Sequence, residues 1–86
     1  MGNYFINHYG ERNQLIQLSK ECIELAHAIN DYVDGKDSLE HVQEEMGDCT
    51  NLIEQFEEHW ANGSILIWKL QKQERQRKRI DKLLEK

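Results

Sequence analysis

Apolar side chains recur at alternating steps of three and four residues along the first third of the chain. The positions between Glu11 and Val33 that follow this pattern are Leu15, Leu18, Cys22, Leu25, Ile29 and Tyr32. This spacing is typical of an amphipathic helix, because about 3.6 residues complete one helical turn. The helix is expected to run from about Glu11 to Val33 and to stop at Gly35, which can adopt the left-handed conformation that closes a helix.

A second apolar stripe begins after a short polar segment and repeats the first stripe in register. Its members are Leu39, Val42, Met46, Cys49, Ile53, Phe56 and Trp60. This second helix is predicted to start near Asp37 or Ser38 and to end at the segment "ANGS". A third helix is predicted from there to about Leu84, with Asn62 or Ser64 as its cap.

These patterns predict an all-α fold, a three-helix protomer built on an antiparallel hairpin of the first two helices. Residues 1–10 carry aromatic side chains without helical spacing and are predicted to be an N-terminal arm, whereas residues 11–86 form a single domain. The run "ILIWKL" in the third helix is apolar on more sides than one hairpin can cover, which predicts burial against a second chain. We therefore expect a homo-dimer or homo-tetramer, assembled as an oligomeric helix bundle.

Charge is distributed unevenly along the chain. Residues 1–68 hold 13 acids against 3 basic residues, whereas residues 69–86 hold 8 basic residues against 3 acids, within a net charge of -5. The acidic body disfavours nucleic acid as a partner, while the basic third helix could meet phosphates. Neither a membrane-spanning apolar run nor a secretory leader is recognisable, so no membrane association is expected. The expected location is the cytoplasm, where Cys22 and Cys49 would be reduced.

Two pairs of acids stand at matching places beside the two stripes. Glu21 and Glu24 flank the first stripe, and Glu45 and Asp48 flank the second in the same register. Side chains three residues apart project on the same side of a helix, so a hairpin could bring both pairs to one edge. Four carboxylates that close repel one another and need a cation, and oxygen ligands favour Mg²⁺, with Mn²⁺ as a substitute. Solvated surface acids are the alternative interpretation, but their recurrence in register disfavours it.

The run "ECIEL", followed after a loop by "EEMGD", resembles the E-x-x-E and E-x-x-D signatures of the MazG-like family of all-α nucleoside triphosphate pyrophosphohydrolases. The similarity covers about residues 13–80 and includes the basic run "KLQKQERQRKRI". It implies an enzyme that cleaves the α–β phosphoanhydride bond of an NTP or dNTP with Mg²⁺, giving the monophosphate and pyrophosphate. It also implies dimers or tetramers with sites near subunit contacts. Lys20 departs from the family pattern, because many members carry another Glu there.

The resemblance also implies a role for the residues of the two motifs. Glu21, Glu24, Glu45 and Asp48 would hold the metal, and either Glu24 or Glu45 would also act in catalysis by orienting the attacking water. Asn51 lies three residues past Asp48 and could contact the substrate. Three cations that share one side of the third helix could meet the phosphates, although a solvated basic face explains each of them equally well: Lys69, Lys72 and Arg75.

Two other functions fit parts of the sequence. Glu24 and His27 form an E-x-x-H step of the kind that di-iron carboxylate helical bundles use, and a dimer would add two copies of Glu45. Such a site would leave Glu21 and Asp48 unused. Alternatively, the basic third helix could make the chain a non-catalytic helical module that binds nucleic acid or a protein partner. The remaining histidines show no metal-ligand spacing and are predicted to be surface residues: His8, His41 and His59.

Overall fold

The chain folds into helices joined by short turns. The computed structural model describes residues 2–85, and no strand occurs among them. Its four helices are α1 (Tyr4–Tyr9), α2 (Glu11–Val33), α3 (Leu39–Trp60) and α4 (Ser64–Leu84). The all-α prediction is therefore confirmed, and the number of helices is four rather than three.

Glycine and hydroxyl caps set the turn between α2 and α3. Gly35 has a φ of 77°, in the left-handed region, and Lys36 N donates to Asp31 O at 2.7 Å, so the last turn of α2 is closed by backbone hydrogen bonds. Ser38 then caps α3, because its Oγ accepts a hydrogen bond from His41 N at 3.1 Å. The predicted boundaries of both helices follow from these local interactions.

The residues predicted as an irregular arm contain a short helix, α1. Asn3 begins it, because its Oδ1 accepts hydrogen bonds from Phe5 N at 2.9 Å and Ile6 N at 3.3 Å. The same side chain donates to Glu58 Oε2 at 2.9 Å, which ties α1 to the end of α3. Ile6 is 1% exposed and anchors α1 in the core. One cap and one apolar anchor stabilise a helix too short to show a periodic pattern.

α2 and α3 pack against each other in opposite directions. Three cross-helix pairs, ordered from the helix ends towards the connecting turn, show this: Glu11 with Trp60, Gln14 with Gln55, and Cys22 with Cys49. The residues of α3 that are buried in the contact follow a regular heptad: Val42, Glu45, Cys49, Leu52 and Phe56. Those of α2 that are buried or half-buried do the same: Gln14, Leu18, Glu21, Leu25 and Ala28. A polar side chain therefore occupies a core position on each helix.

Only part of each predicted apolar stripe is buried. The exposed members form a second line on each helix: Leu15, Cys22 and Ile29 on α2, and Leu39, Met46, Ile53 and Trp60 on α3. At about 100° per residue, these lines fall on the flank opposite Glu24 on α2 and opposite Asp48 on α3. Because the helices are antiparallel, both lines lie on the same side of the pair. One side of α2 and α3 is thus apolar and the other is acidic.

α4 projects from the rest of the molecule. None of the residues Ser64–Leu84 is buried, and Trp68 and Leu70 are 59% and 54% exposed. A small cavity between Phe56, Trp60 and Ile65 marks the place where α4 begins against the end of α3. The Cα radius of gyration is 16.5 Å, whereas a compact chain of this length would have about 12 Å. The predicted burial of this helix against a second chain stays a prediction.

Candidate functional site: three carboxylates between two helices

Two of the predicted acids lie inside the contact between α2 and α3 rather than beside it. Glu21 follows Leu18 by one turn on the buried face of α2, and Glu45 follows Val42 by one turn on that of α3. Their partners in the motifs, Glu24 and Asp48, are exposed on the flank. The prediction that all four acids flank the stripes is therefore wrong for Glu21 and Glu45. On each helix, the face that is buried lies closer to the acids than the predicted stripe does. The second apolar line is therefore exposed.

Three carboxylates converge at this point of the contact. Glu21, Glu24 and Glu45 each offer one oxygen, and these oxygens all lie within 4.8 Å of one another. Glu45 is 9% exposed, and Glu21 is half-buried. Glu21 Oε2 and Glu45 Oε2 are both buried and have no hydrogen-bond partner among residues 2–85. Buried polar atoms are nearly always paired in proteins, so a water, a shared proton or a cation is expected at these two oxygens.

The electrostatic environment opposes the ionised form of Glu21. Burial raises the pKa of this carboxyl above its usual value, and the negative charges of Glu24 and Asp48 raise it further. Gln17 lowers the pKa of Glu21, because its Nε2 donates to Glu21 Oε1 at 2.8 Å and stabilises the ionised carboxylate. The environment therefore disfavours the ionised form of the Glu21 carboxyl. A nearby cation would reverse this effect.

Glu45 is contacted by a histidine from its own helix. His41 Nε2 lies 3.3 Å from Glu45 Oε1, and His41 Nδ1 donates to Asp37 Oδ2. The contact with Asp37 raises the pKa of His41, and the charge of Glu45 raises it further. The same contact lowers the pKa of Asp37, with help from the backbone N–H of Ser38. A continuous polar chain therefore runs from the turn before α3 to the buried carboxylate.

Two free cysteines lie next to the acids. Cys49 is buried and Cys22 is exposed. Burial raises the pKa of the Cys49 thiol to about 11, and the neighbouring Cys22 thiol and the charges of Glu21 and Glu45 contribute to the rise. Cys49 is consequently a protonated thiol at neutral pH and a poor metal ligand, because a thiolate is the binding form. The donors available at the convergence are carboxylate oxygens.

The other predicted site residues lie away from the three carboxylates. Asp48 is near enough to influence the charge of Glu21, but it is not a member of the converging group. Asn51 is exposed and lines a shallow depression beside α1, together with Asn3 and Phe5. His27, the ligand of the di-iron alternative, is exposed and also lies outside the group.

The three predicted phosphate-binding cations are all on α4 and do not reach the acids. They are Lys69, Lys72 and Arg75, and each is exposed. Lys72 Nζ lies over the Trp68 ring, 5.9 Å from its centroid, and Arg75 lies on the basic side of α4 together with Lys78 and Lys82. Among residues 2–85, no ion pair joins α4 to the three carboxylates. The prediction that these three residues meet the phosphates stays a prediction.

The donors at the convergence are all carboxylate oxygens, the ligand type that hard cations prefer, and they lie within 4.8 Å of one another. Two of the three residues carry the unpartnered buried oxygens, so a cation would satisfy atoms that the protein leaves unsatisfied.

Comparison of the chain with protein-family models, with curated proteins and with solved structures finds no match. The resemblance to the MazG-like family rests on the two motifs alone, and it stays a prediction. Separately, no helix among residues 2–85 combines the length and the apolar character needed to cross a bilayer.

Sequence reasoning did not identify His41 as part of the site. It was predicted to be a surface residue because it has no metal-ligand spacing with another histidine. The available signal was its spacing from acids, since Asp37, His41 and Glu45 follow one another at intervals of four residues. Side chains four apart meet on a helix surface, which accounts for the contact of His41 with Glu45, while Asp37 reaches His41 from the turn before the cap Ser38.

Proposed function

We propose that this protein is a Mg²⁺-dependent pyrophosphohydrolase that converts an NTP or dNTP to the monophosphate and pyrophosphate. Glu21, Glu24 and Glu45 would hold the metal, with Asp48 joining them from the flank of α3. The observation that carries the proposal is the pair of buried oxygens without partners, Glu21 Oε2 and Glu45 Oε2, on two residues whose carboxylates converge with that of Glu24. The motif resemblance supplies the reaction, which the arrangement of acids alone does not specify.

The different burial of the acids divides their roles. Glu45 is buried and contacted by His41, which suits a fixed ligand. Glu24 is exposed, so its second oxygen can accept a hydrogen bond from a solvent water and orient it. We therefore assign the water-orienting role to Glu24. Bound Mg²⁺ would supply positive charge that offsets the triphosphate and the charge developing in the transition state.

We further propose that the protein acts as a homo-oligomer. The apolar side of α2 and α3 and the apolar residues of α4 are exposed in a single chain, and exposed apolar patches of this kind are typical of subunit interfaces. A second copy could also bring the basic side of α4 to the acidic side of the first. Lys69, Lys72 and Arg75 would then reach the phosphates across a subunit contact, which a single chain does not allow.

The test is a screen of canonical NTPs and dNTPs with Mg²⁺, in which pyrophosphate and orthophosphate release are measured separately. We expect pyrophosphate release by the wild type, its loss in Glu45→Gln, and its retention in Glu44→Gln, a matched control with the same change of charge at an exposed position of α3. Orthophosphate alone would show that another bond is cut. Pyrophosphate release retained in Glu45→Gln would remove the metal assignment.

A second candidate function follows from the exposure of α4. This helix carries a continuous basic side and contacts the rest of the chain only near its start, which is also what a helix reserved for an anionic partner would show. A non-catalytic helical module that binds nucleic acid or an acidic protein segment is therefore the alternative. Titration with duplex DNA in the absence of Mg²⁺ separates the two, because only the alternative predicts binding that weakens with salt and needs no metal.

A further inference from the structure

The two carboxylate oxygens of Glu45 have different surroundings. Glu45 Oε1 lies 3.3 Å from His41 Nε2, whereas Glu45 Oε2 is buried and without a partner. Nδ1 and Nε2 of His41 thus face carboxylate oxygens of Asp37 and Glu45, an arrangement that suits the imidazolium form, in which both ring nitrogens carry a hydrogen. One oxygen of the carboxylate is therefore occupied by the protein, and the other is left for a ligand.

We propose that His41 is a positioning residue that orients Glu45 so that Oε2, and not Oε1, faces Glu21 and Glu24. This inference rests on the metal site of the proposed function. It assigns a task to a histidine that touches neither the metal nor the substrate, and it names the oxygen of Glu45 that binds.

Glu45 needs such a restraint for a physical reason. Its side chain has several rotatable bonds, and its ionised carboxylate is repelled by Glu21 and Glu24 at close range. Without a partner for Oε1, rotation of the carboxylate towards solvent would relieve that repulsion and disassemble the ligand set before a cation arrives. The contact of His41 Nε2 with Glu45 Oε1 at 3.3 Å opposes the rotation and keeps the site assembled.

His41 is itself held at two points, which makes it suited to this role. Its backbone N–H donates to Ser38 Oγ, the cap of α3, and its Nδ1 donates to Asp37 Oδ2. The other oxygen of Asp37, Oδ1, accepts from Ser38 N at 2.7 Å. The orientation of the ring is therefore fixed by the first turn of α3. Partners of this kind, which orient metal ligands from behind, typically change metal affinity ten- to a hundredfold, roughly, when they are removed.

The test measures Mn²⁺ binding to the full chain by electron paramagnetic resonance, in which the signal of free Mn²⁺ falls as the ion binds. Two conservative variants separate the ring nitrogens: the amide nitrogen of His41→Gln can replace Nε2, whereas that of His41→Asn can replace only Nδ1. We expect His41→Asn to weaken Mn²⁺ binding by roughly tenfold or more and His41→Gln to restore most of the affinity. His27→Gln, at an exposed position of α2, serves as the control.

The outcomes distinguish this inference from the proposed function. Tight Mn²⁺ binding by the wild type and by both His41 variants would overturn the role of His41 and leave the metal site intact. An equal loss in both variants, with unchanged helix content by circular dichroism, would also overturn it, because the Nε2 donor would not be the reason. Failure of the wild type to bind Mn²⁺ would refute the metal site itself. Should His41→Asn fold poorly, Asp37→Asn provides the second variant, with a smaller loss of affinity expected.

Discussion

Replacing Glu21 with glutamine should stabilise the metal-free protein while it removes a metal ligand. The Glu21 carboxylate is half-buried and lies close to two other carboxylates, and its pKa is raised by burial and by the charges of Glu24 and Asp48. Glutamine has nearly the same shape and carries no charge. Its side-chain oxygen can still accept the hydrogen bond that Gln17 Nε2 donates to Glu21 Oε1 at 2.8 Å. The substitution therefore removes repulsion without removing a contact.

The distance between the acids sets the size of the effect. Two unit charges 4.8 Å apart, the upper limit on the separations within the group, repel by about 1 kcal/mol in water and by about 3 kcal/mol at an effective dielectric constant of roughly 20. Because Glu21 is only half-buried, the lower half of that range applies, and the expected gain in the free energy of unfolding is about 1–2 kcal/mol. In a domain of this size each kcal/mol raises the melting temperature by roughly 4–8 °C.

Thermal unfolding followed by circular dichroism at neutral pH, with EDTA and then with excess Mg²⁺, measures both effects. Glu21→Gln should melt above the wild type in EDTA, and Mg²⁺ should raise the melting temperature of the wild type but not that of Glu21→Gln, because a ligand that binds the folded state stabilises it. Glu44→Gln is the matched control, since it makes the same change of net charge at an exposed site on α3.

The pH dependence of stability gives an independent check that Glu21→Gln is more stable than the wild type. A carboxyl with a raised folded pKa favours folding below its unfolded pKa, near 4.5, and this contribution is lost as pH rises through the folded pKa. The advantage of Glu21→Gln over the wild type should therefore be largest at neutral pH and shrink as pH falls towards that value. Equal melting temperatures for Glu21→Gln and Glu44→Gln in EDTA, or a lower one for Glu21→Gln, would refute the reasoning.

Two further predictions test the chemistry and the packing around the site. Cys22 should react readily with a thiol reagent, whereas Cys49, whose pKa is raised from 9.0 to about 11, should react roughly a hundredfold more slowly. Denaturant should make the two reaction rates equal. Equal rates in the folded protein would contradict the burial of Cys49. Phe56→Ala should lower the free energy of unfolding by about 3–5 kcal/mol in urea, because Phe56 is 2% exposed, whereas Leu84→Ala, at 78% exposed, should change it by less than about 0.5 kcal/mol. Similar losses in the two variants would mean that α3 packs by another face.

The helices were predictable because the signals that specify them are local. The apolar period of α2, the left-handed Gly35 and the cap at Ser38 each act within a few residues, and the observed boundaries follow them. α1 was not predicted, because one cap, Asn3, and one buried side chain, Ile6, do not form a detectable apolar period. Its helical state depends on contacts with α3 that are distant in sequence.

The acids of the candidate site were predictable in part, and their arrangement was not. The repeated acids in register pointed to Glu21, Glu24, Glu45 and Asp48, of which the first three converge. The sequence could not show that Glu21 and Glu45 occupy core positions, because each helix offers two adjacent apolar lines. The choice between them depends on how the pair packs. It also could not show that Asp37 and His41 would connect the turn to Glu45, since that connection requires α3 to begin where it does.

The sequence by itself determined the helical state of most of the chain and the positions of the acids along each helix, because both depend on spacing within a single helix. Tertiary structure decided which face of α2 meets which face of α3, and with it the burial of the two oxygens that need a partner. It also decided that α4 extends away from the acids. The physical reason is the same in each case: the rotation of one helix against another is set by packing between side chains far apart in the chain, and no periodicity within a helix encodes it.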